Sequence, residues 1–190
     1  AKDKGGEAFD QIKQYERDVP RLFYSNLFNI ITNGETLLYG ATQSPSEFWA
    51  EWRDPWPKMP ADFSTKFELG LWSLLQPARL LNILAHFVVF EKDGASGALI
   101  KKVCRYQQYR AVEKIAQRVL ESRKTGQRKG LVWHTQGSGK SLTMAYAVLR
   151  LKLHLDIPAE TLGSPNILVI TDRVDLDDQI SKTFVACGLP

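Results

Sequence analysis

The sequence contains few of the residues that build disulfide frameworks or metal centres. Two cysteines, Cys104 and Cys187, and three histidines occur among its 190 residues. Neither cysteine shows metal-ligand spacing or has a histidine pair nearby, so the sequence gives no indication of a zinc site. Isolated thiols are typical of proteins from a reducing compartment. We therefore expect a cytoplasmic protein whose cysteines are buried or inert.

Long apolar runs are also missing. No stretch reaches the roughly 18 uninterrupted apolar residues that span a membrane. The first ten residues, AKDKGGEAFD, lack the apolar core of a signal peptide. The sequence therefore predicts no membrane partner. Because the N-terminus has no initiator methionine and begins directly before a helix, we expect a fragment of a longer protein.

Charge and hydropathy are ordinary. The sequence is 44% hydrophobic and 24% charged, values typical of a globular protein. Its net charge of +4 permits a nucleic-acid partner without requiring one. A chain of 190 residues can form one large domain or parts of two. It shows neither an internal repeat nor a low-complexity segment.

A glycine-rich stretch in the second half carries the clearest chemistry. Residues 131–141 read LVWHTQGSGKS, in which an apolar run leads into a glycine loop that a helical pattern follows. This context is typical of a phosphate-binding P-loop. Glycines let backbone N–H groups point at one anion, Lys140 can bridge the β- and γ-phosphates, and the Ser141 hydroxyl can hold Mg²⁺. The predicted nucleotide contacts are Thr135, Gln136, Gly137, Ser138, Gly139, Lys140 and Ser141.

One residue of this stretch departs from the full P-loop pattern. His134 stands where that pattern has its first glycine. The alternative interpretation is a plain glycine-rich turn with an exposed lysine. The apolar run before the loop and the helical pattern after it favour the nucleotide site.

The first half predicts short helices and hairpins. A helix is expected at 5–17, ended by Pro20. Asn33-Gly34 is a strong hairpin signal between strands at 22–32 and 35–42. The pattern that follows predicts a short helix at 46–52, helices on either side of Pro77, and a second hairpin from strands at 87–90 and 100–104.

The tryptophans of the first half lie in a proline-rich connector. Trp49, Trp52 and Trp56 occur within residues 43–64. They could form a platform on which nucleic-acid bases stack. Aromatic residues of this kind more often pack a linker onto a neighbouring domain, and we favour that interpretation.

The second half alternates helices with apolar runs. One helix is predicted from Tyr106, a second from the glycine loop to about His154, and a third capped by Asp175. Strands are predicted at 131–133 and 167–171, with a loop at 157–166. This alternation indicates an α/β fold with a RecA-like parallel sheet. The turn at 121–130 is basic, and its charges could contact a nucleic-acid backbone, but we favour a solvated loop.

Three motifs occur in the order found in superfamily 2 helicases and translocases. YQQYRAVE at 106–113 resembles their Q motif, HTQGSGKS resembles motif I, and LVITDRVDLDDQ at 168–179 resembles motif Ia. The resemblance implies that Gln108, or alternatively Gln107, reads adenine, so that the nucleotide is ATP bound with Mg²⁺. It also implies that motif Ia lies near the nucleic-acid backbone, through Thr171, Asp172 and Arg173.

The residues within these motifs resemble one family more closely than the superfamily in general. RYQQYRAVEKI, VWHTQGSGKS and VITDRVDLDDQI resemble the restriction, or motor, subunit of type I restriction-modification enzymes. The helix with Gln11 and Tyr15 is similar to the Gln-x-x-x-Tyr helix that closes the PD-(D/E)xK nuclease domain of that subunit. The resemblance implies a nuclease end at 1–54, a connector at 55–104 and the start of a RecA-like motor domain at 105–190.

This resemblance implies a translocating nuclease when the protein is complete. Lys140, Gln11 and Tyr15 would serve the ATPase and nuclease reactions, and double-stranded DNA and the methylation and specificity subunits would be the partners. The remaining nuclease and Walker B carboxylates are expected outside these residues, so the fragment alone should be inactive. The alternatives are another superfamily 2 ATPase without a nuclease, or a non-enzymatic P-loop interaction module.

Overall fold

The computed structural model describes residues 4–92, 97–153 and 162–189, and it is mixed α/β, as the sequence predicts at that level. The chain divides into two compact units. The first unit comprises Ala1–Val89 and Ala98–Tyr106, and the second comprises Phe90–Gly97 and Gln107–Pro190. The domain boundaries at 54 and 104 stay predictions.

The first unit begins with a helix and a β-hairpin. Helix α1 spans Lys4–Asp18, and strands β1 (Phe28–Thr32) and β2 (Leu37–Ala41) pair antiparallel. The predicted turn at Asn33-Gly34 is confirmed, because the Asn33 side-chain oxygen accepts bonds from two backbone N–H groups and Gly34 has a φ of 86°. The predicted strand start at residue 22 is wrong. Pro20 instead starts a 3-10 turn, Pro20–Phe23, since its ring fixes φ at a helical value.

The core of the first unit is built on β2 and two tryptophans. Tyr39 is 2% exposed, and its ring lies 5.8 Å from that of Trp52. Trp49 packs edge-on against Phe9 of α1 at 5.5 Å and covers Gly40, where an added Cβ would meet its ring at 2.5 Å. Burial of Trp49 and Trp52 agrees with the packing interpretation for these two residues, whereas Trp56 is 53% exposed.

The helix predicted at 46–52 is shorter in the structure. Only Ser46–Phe48 forms a 3-10 turn, and the chain is extended from Trp49. The reason is a β-bridge, since Ala50 exchanges backbone hydrogen bonds with Tyr39 at 2.9 and 3.0 Å. This pairing draws the connector onto the edge of β2.

Two helices and a second strand pair complete the first half. Helices α2 (Lys66–Leu75) and α3 (Pro77–His86) flank Pro77 as predicted, and Thr65 caps α2 by accepting the N–H of Glu68 at 3.0 Å. Strands β3 (Val88–Lys92) and β4 (Leu99–Val103) pair in a two-stranded sheet. Part of their connection, residues 93–96, lies outside the described residues.

A buried tyrosine joins β2 to the segment after β4. The Tyr39 hydroxyl donates to the carbonyl oxygen of Cys104 at 2.8 Å. Burial is the main cause that raises the pKa of this hydroxyl well above its usual value, because the ionised form would lose its hydration. The link therefore depends on a neutral phenol.

Apart from residues 90–92, which belong to strand β3, the regular structure in the described part of the second unit is helical. It contains α4 (Tyr106–Thr125, whose first residue belongs to the first unit), α5 (Lys140–Leu153) and α6 (Val174–Ala186). Helices α5 and α6 pack through a small apolar cluster that includes Ala145, Val148, Phe184 and Leu189. The predicted helix end at His154 and the start of the loop predicted at 157–166 lie outside the described residues.

The predicted cap of the last helix is wrong. Arg173, not Asp175, is the N-cap residue of α6, and its side chain makes no capping bond. Asp175 lies in the first turn instead. Its negative charge there still interacts favourably with the positive N-terminal end of the helix dipole.

The two predicted parallel strands are not formed. Residues 131–133 and 167–171 are outside any strand, and Leu131, Leu168 and Ile170 are 86%, 82% and 83% exposed. A strand requires a neighbour with which to share hydrogen bonds. The sheets seen among the described residues are the two strand pairs β1–β2 and β3–β4, so the RecA-like sheet is not present there.

Across the part of the chain that the structure describes, no helix is both long and apolar enough to span a membrane.

Candidate functional site

The glycine loop ends at the first residue of α5. The Gly139 carbonyl accepts the N–H of Thr143 at 2.9 Å and its hydroxyl at 3.1 Å, which makes Gly139 the residue that opens the helix. Gly137 and Gly139 have φ values of 74° and 78°, a region that side chains disfavour. The backbone therefore favours glycine at both positions. The loop and the helix start meet as an anion site requires.

Lys140 is held by the loop itself. Its ammonium group donates to the carbonyl oxygen of Thr135 at 2.9 Å and to that of His134 at 3.3 Å. The Ser138 hydroxyl donates to the Thr135 carbonyl at 2.7 Å and lies 3.2 Å from His134 Nδ1. His134 thus supports the loop where the usual pattern has glycine. A phosphate group can replace these weak carbonyl partners as a stronger, charged acceptor for Lys140.

Gln108 lies against the loop, whereas Gln107 is exposed. The Gln108 side chain is buried, and its Nε2 donates to the Gly139 carbonyl at 3.2 Å. An added Cβ on Gly139 would meet this Nε2 at 2.7 Å. The structure therefore brings the first residues of α4 and the glycine loop together. The role of Gln108 in adenine recognition stays a prediction.

The sequence did not predict a second polar link between α4 and α5. Arg150 Nε donates to Glu113 Oε1 at 2.9 Å, and the Arg150 side chain is 5% exposed. One signal was available, because Arg150 follows Tyr146 by four residues on the apolar face of α5. A charged residue on such a face needs a partner.

Gln11 and Tyr15 lie on the exposed side of α1. They are four residues apart, which places them on one face of the helix, and Tyr15 is 45% exposed. The opposite face of α1 carries Phe9, which packs against Trp49. Both predicted nuclease residues are therefore accessible to a ligand or to another part of a larger protein.

Glu16 fixes α1 to the hairpin, which sequence reasoning missed. It is 8% exposed, and its Oε1 accepts the side-chain amide of Asn29 at 3.0 Å and the backbone N–H of Gln43 at 2.8 Å. Its Oε2 pairs with Lys13 at 2.8 Å. These bonds determine which face of α1 is turned outward.

The motif Ia residues lie directly before α6. Asp172 and Arg173 are exposed, and Thr171 is half-buried with its hydroxyl donating to the Arg173 carbonyl at 3.4 Å. Their polar groups are accessible to a nucleic-acid backbone. That contact stays a prediction.

Within residues 4–92, 97–153 and 162–189, no group of three or more His, Cys, Asp or Glu side chains is placed to hold a metal ion. The predicted metal role of Ser141 depends on a bound nucleotide. Ser141 is the second residue of α5, half-buried beside the loop, as this role requires.

Comparison with known proteins points to two descriptions of the chain. A family model for the SWI2/SNF2 ATPase matches residues 107–190. The chain is 33% identical over 183 residues to the type I restriction enzyme HindI endonuclease subunit of Haemophilus influenzae, a match covering 94% of this chain and 17% of that protein.

Two further relatives agree. A Methanocaldococcus jannaschii protein provisionally named type I restriction enzyme MjaVIIIP endonuclease subunit is 32% identical over 95% of this chain and 17% of its own length. The type I restriction enzyme SauCOLORF180P endonuclease subunit of Staphylococcus aureus is 29% identical over 94% of this chain and 18% of its own length. The chain therefore spans less than one fifth of the length of the curated relatives it matches.

Proposed function

The chain belongs to the family of type I restriction enzyme endonuclease subunits, and on this premise we propose that it is the segment of such a subunit where a nuclease domain ends and an ATP-driven DNA motor begins. The single observation that carries the proposal is the glycine loop at the start of α5, with Gln108 bonded to it. An anion site of this geometry at a helix start suits nucleotide phosphates.

The residues of the second unit fit ATP and Mg²⁺. Backbone N–H groups of 135–141 and the Lys140 ammonium would hold the phosphates, and the Ser141 hydroxyl would hold the metal ion. Space above Gly137 supports this fit, because an added Cβ there meets no atom within 4 Å. Gln108 would contact adenine and keep its bond to the loop. When bound, ATP with Mg²⁺ supplies the free energy of phosphoanhydride hydrolysis.

The exposed face of α1 would serve the nuclease. We assign Gln11 and Tyr15 to positioning DNA or other groups of the nuclease site rather than to transferring protons. The bonds of Glu16 support the assignment because they turn this face outward.

The remaining roles concern the complete subunit. Its substrate would be double-stranded DNA, and its partners the methylation and specificity subunits of the complex. Thr171, Asp172 and Arg173 would touch the DNA backbone. The exposed apolar runs at 131–133 and 167–171 would become strands of a RecA-like sheet there, which accounts for their β-type sequence.

A second candidate is another superfamily 2 ATPase without a nuclease. The match to the SWI2/SNF2 ATPase model favours it for residues 107–190 alone. The relatives that match across both units favour the restriction subunit.

Two substitutions in the full-length subunit test the proposal. Lys140→Ala should abolish DNA-stimulated ATP hydrolysis and cleavage, because the phosphates lose their cation. Gln11→Ala together with Tyr15→Phe should reduce cleavage while ATP hydrolysis continues. The matched control is Lys182→Ala on α6, an exposed lysine outside the loop, which should leave both reactions unchanged.

The outcomes separate the candidates. Full ATP hydrolysis by the Lys140→Ala protein would overturn the motor assignment. Unchanged cleavage by the Gln11/Tyr15 variant would remove the nuclease role of α1 and leave the ATPase.

A further inference from the structure

The side of α4 that faces away from the nucleotide loop is basic. Its cationic residues recur at helical spacing, and with the following turn we call them the basic surface: Arg110, Lys114, Arg118, Lys124, Arg128 and Lys129. The first four lie on the opposite side of α4 from the buried residues Gln108, Val112 and Ala116. Fourteen residues separate Arg110 from Lys124, which corresponds to about 21 Å along the helix axis.

The carboxylates of α4 do little to neutralise this surface. Glu113 is directed away from it and is paired with Arg150 of α5 at 2.9 Å. Glu121 lies within the surface and accepts a bond from the Gln117 amide at 2.8 Å. Two exposed lysines, Lys114 and Lys124, and two half-buried arginines, Arg110 and Arg118, therefore share this side of the helix with one carboxylate.

The turn after α4 extends the surface in an ordered way. Gly126 has a φ of 71° and donates its N–H to the Ser122 carbonyl at 2.9 Å, which ends the helix. The Arg118 guanidinium donates to the Gln127 side-chain oxygen, so the turn is tied to the basic side of α4. Arg128 and Lys129 follow directly and are exposed.

We propose that the basic surface binds the phosphate backbone of duplex DNA while the loop at 135–141 binds nucleotide. This inference rests on the function proposed above and adds a DNA contact distinct from Thr171–Arg173. Charge complementarity supports it, since duplex DNA carries a negative charge about every 1.7 Å of its axis. A surface of about 21 Å matches roughly six base pairs. The contact reads no sequence, because its cations meet phosphates rather than base edges.

The helix also connects the two sites. Gln108 near the start of α4 bonds the glycine loop, and Glu113 bonds α5, which begins at that loop. DNA bound on the outer side of α4 thereby lies one helix width from the nucleotide contacts.

The test is DNA binding by the full-length subunit at several salt concentrations. Lys114→Gln with Lys124→Gln is compared with a control of equal charge loss, Lys152→Gln with Lys182→Gln, all four lysines being exposed in the second unit. The probes are two labelled duplexes of unrelated sequence. Each lost phosphate contact lowers the slope of log K against log salt by about 0.9, so the first variant should lose about 1.8. Both duplexes should weaken equally.

Three results decide the matter. An affinity and slope equal to those of the control variant would overturn the proposal and leave a solvated surface. Restored binding by Lys114→Arg with Lys124→Arg would support it, since charge is kept. Equal loss in that variant would show a packing role and overturn it. If Lys114→Gln with Lys124→Gln binds DNA like the control while the Lys140→Ala protein is inactive, only the DNA contact is overturned and the proposed function is retained.

Discussion

At the level of single residues, the two glycines of the nucleotide loop differ in their surroundings. Both have positive φ, but an added Cβ on Gly137 meets no atom within 4 Å, whereas one on Gly139 meets Gln108 Nε2 at 2.7 Å. We expect Gly137→Ala to cost only backbone strain of about 1–2 kcal/mol. Gly139→Ala should also displace Gln108 and weaken ATP binding more, as measured by titration with a fluorescent ATP analogue.

Repeating both substitutions in a second background separates the effect of backbone strain from the effect of displacing the Gln108 side chain. In a protein that already carries Gln108→Ala, the difference in ATP affinity between Gly139→Ala and Gly137→Ala should shrink. Equal losses for the two glycine variants in both backgrounds would contradict a role for the Gln108 contact. The comparison is a double-mutant cycle, which isolates the coupling between the two positions.

Sequence reasoning reached the residues of the loop but not their partners. Glycine, lysine and serine at this spacing follow from phosphate chemistry, so 135–141 could be predicted without a structure. The bond from Gln108 to Gly139 joins residues 31 positions apart and depends on how α4 packs. Glu16 and Arg150 were missed for the same reason, since their partners lie 27 and 37 positions away.

At the level of elements, α4 and α5 are joined by the ion pair of Glu113 and Arg150. Glu113→Ala removes the carboxylate that the buried guanidinium faces. Breaking a buried pair from one side costs about 3–5 kcal/mol. Because the Glu113 side chain is 28% exposed, we expect Glu113→Ala to lower the free energy of unfolding by the lower end of this range, about 3 kcal/mol. Urea unfolding of this chain, followed by far-UV circular dichroism, measures it.

A second substitution, at the partner residue, provides the control. Arg150→Met in the Glu113→Ala background removes the buried charge and keeps a long apolar side chain, so it should recover part of the lost free energy. Similar replacements of buried pairs are often neutral or stabilising. A double variant less stable than Glu113→Ala would show that Arg150 stabilises the unit mainly through other contacts.

At the level of the whole molecule, helices were predicted better than strands. A helix completes its hydrogen bonds within one segment, so the patterns that indicated α1 to α6 were sufficient. A strand completes them with another segment. Local hairpins such as β1–β2 provide that partner within a few residues. The runs at 131–133 and 167–171 require partners elsewhere, and they lie outside any strand here.

This difference leads to a prediction about the full-length subunit. If 131–133 and 167–171 become central strands of a parallel sheet there, their amides should exchange slowly with deuterated water, because ladder bonds must open first. In the 190-residue chain the same amides should exchange rapidly, since the runs are exposed and lie outside any ladder. Hydrogen exchange read by mass spectrometry on peptides from both proteins makes the comparison. Strand β2, paired with β1 in this chain, is the reference and should be protected in both. Rapid exchange of both runs in the full-length subunit, with β2 protected, would contradict a RecA-like sheet built on them.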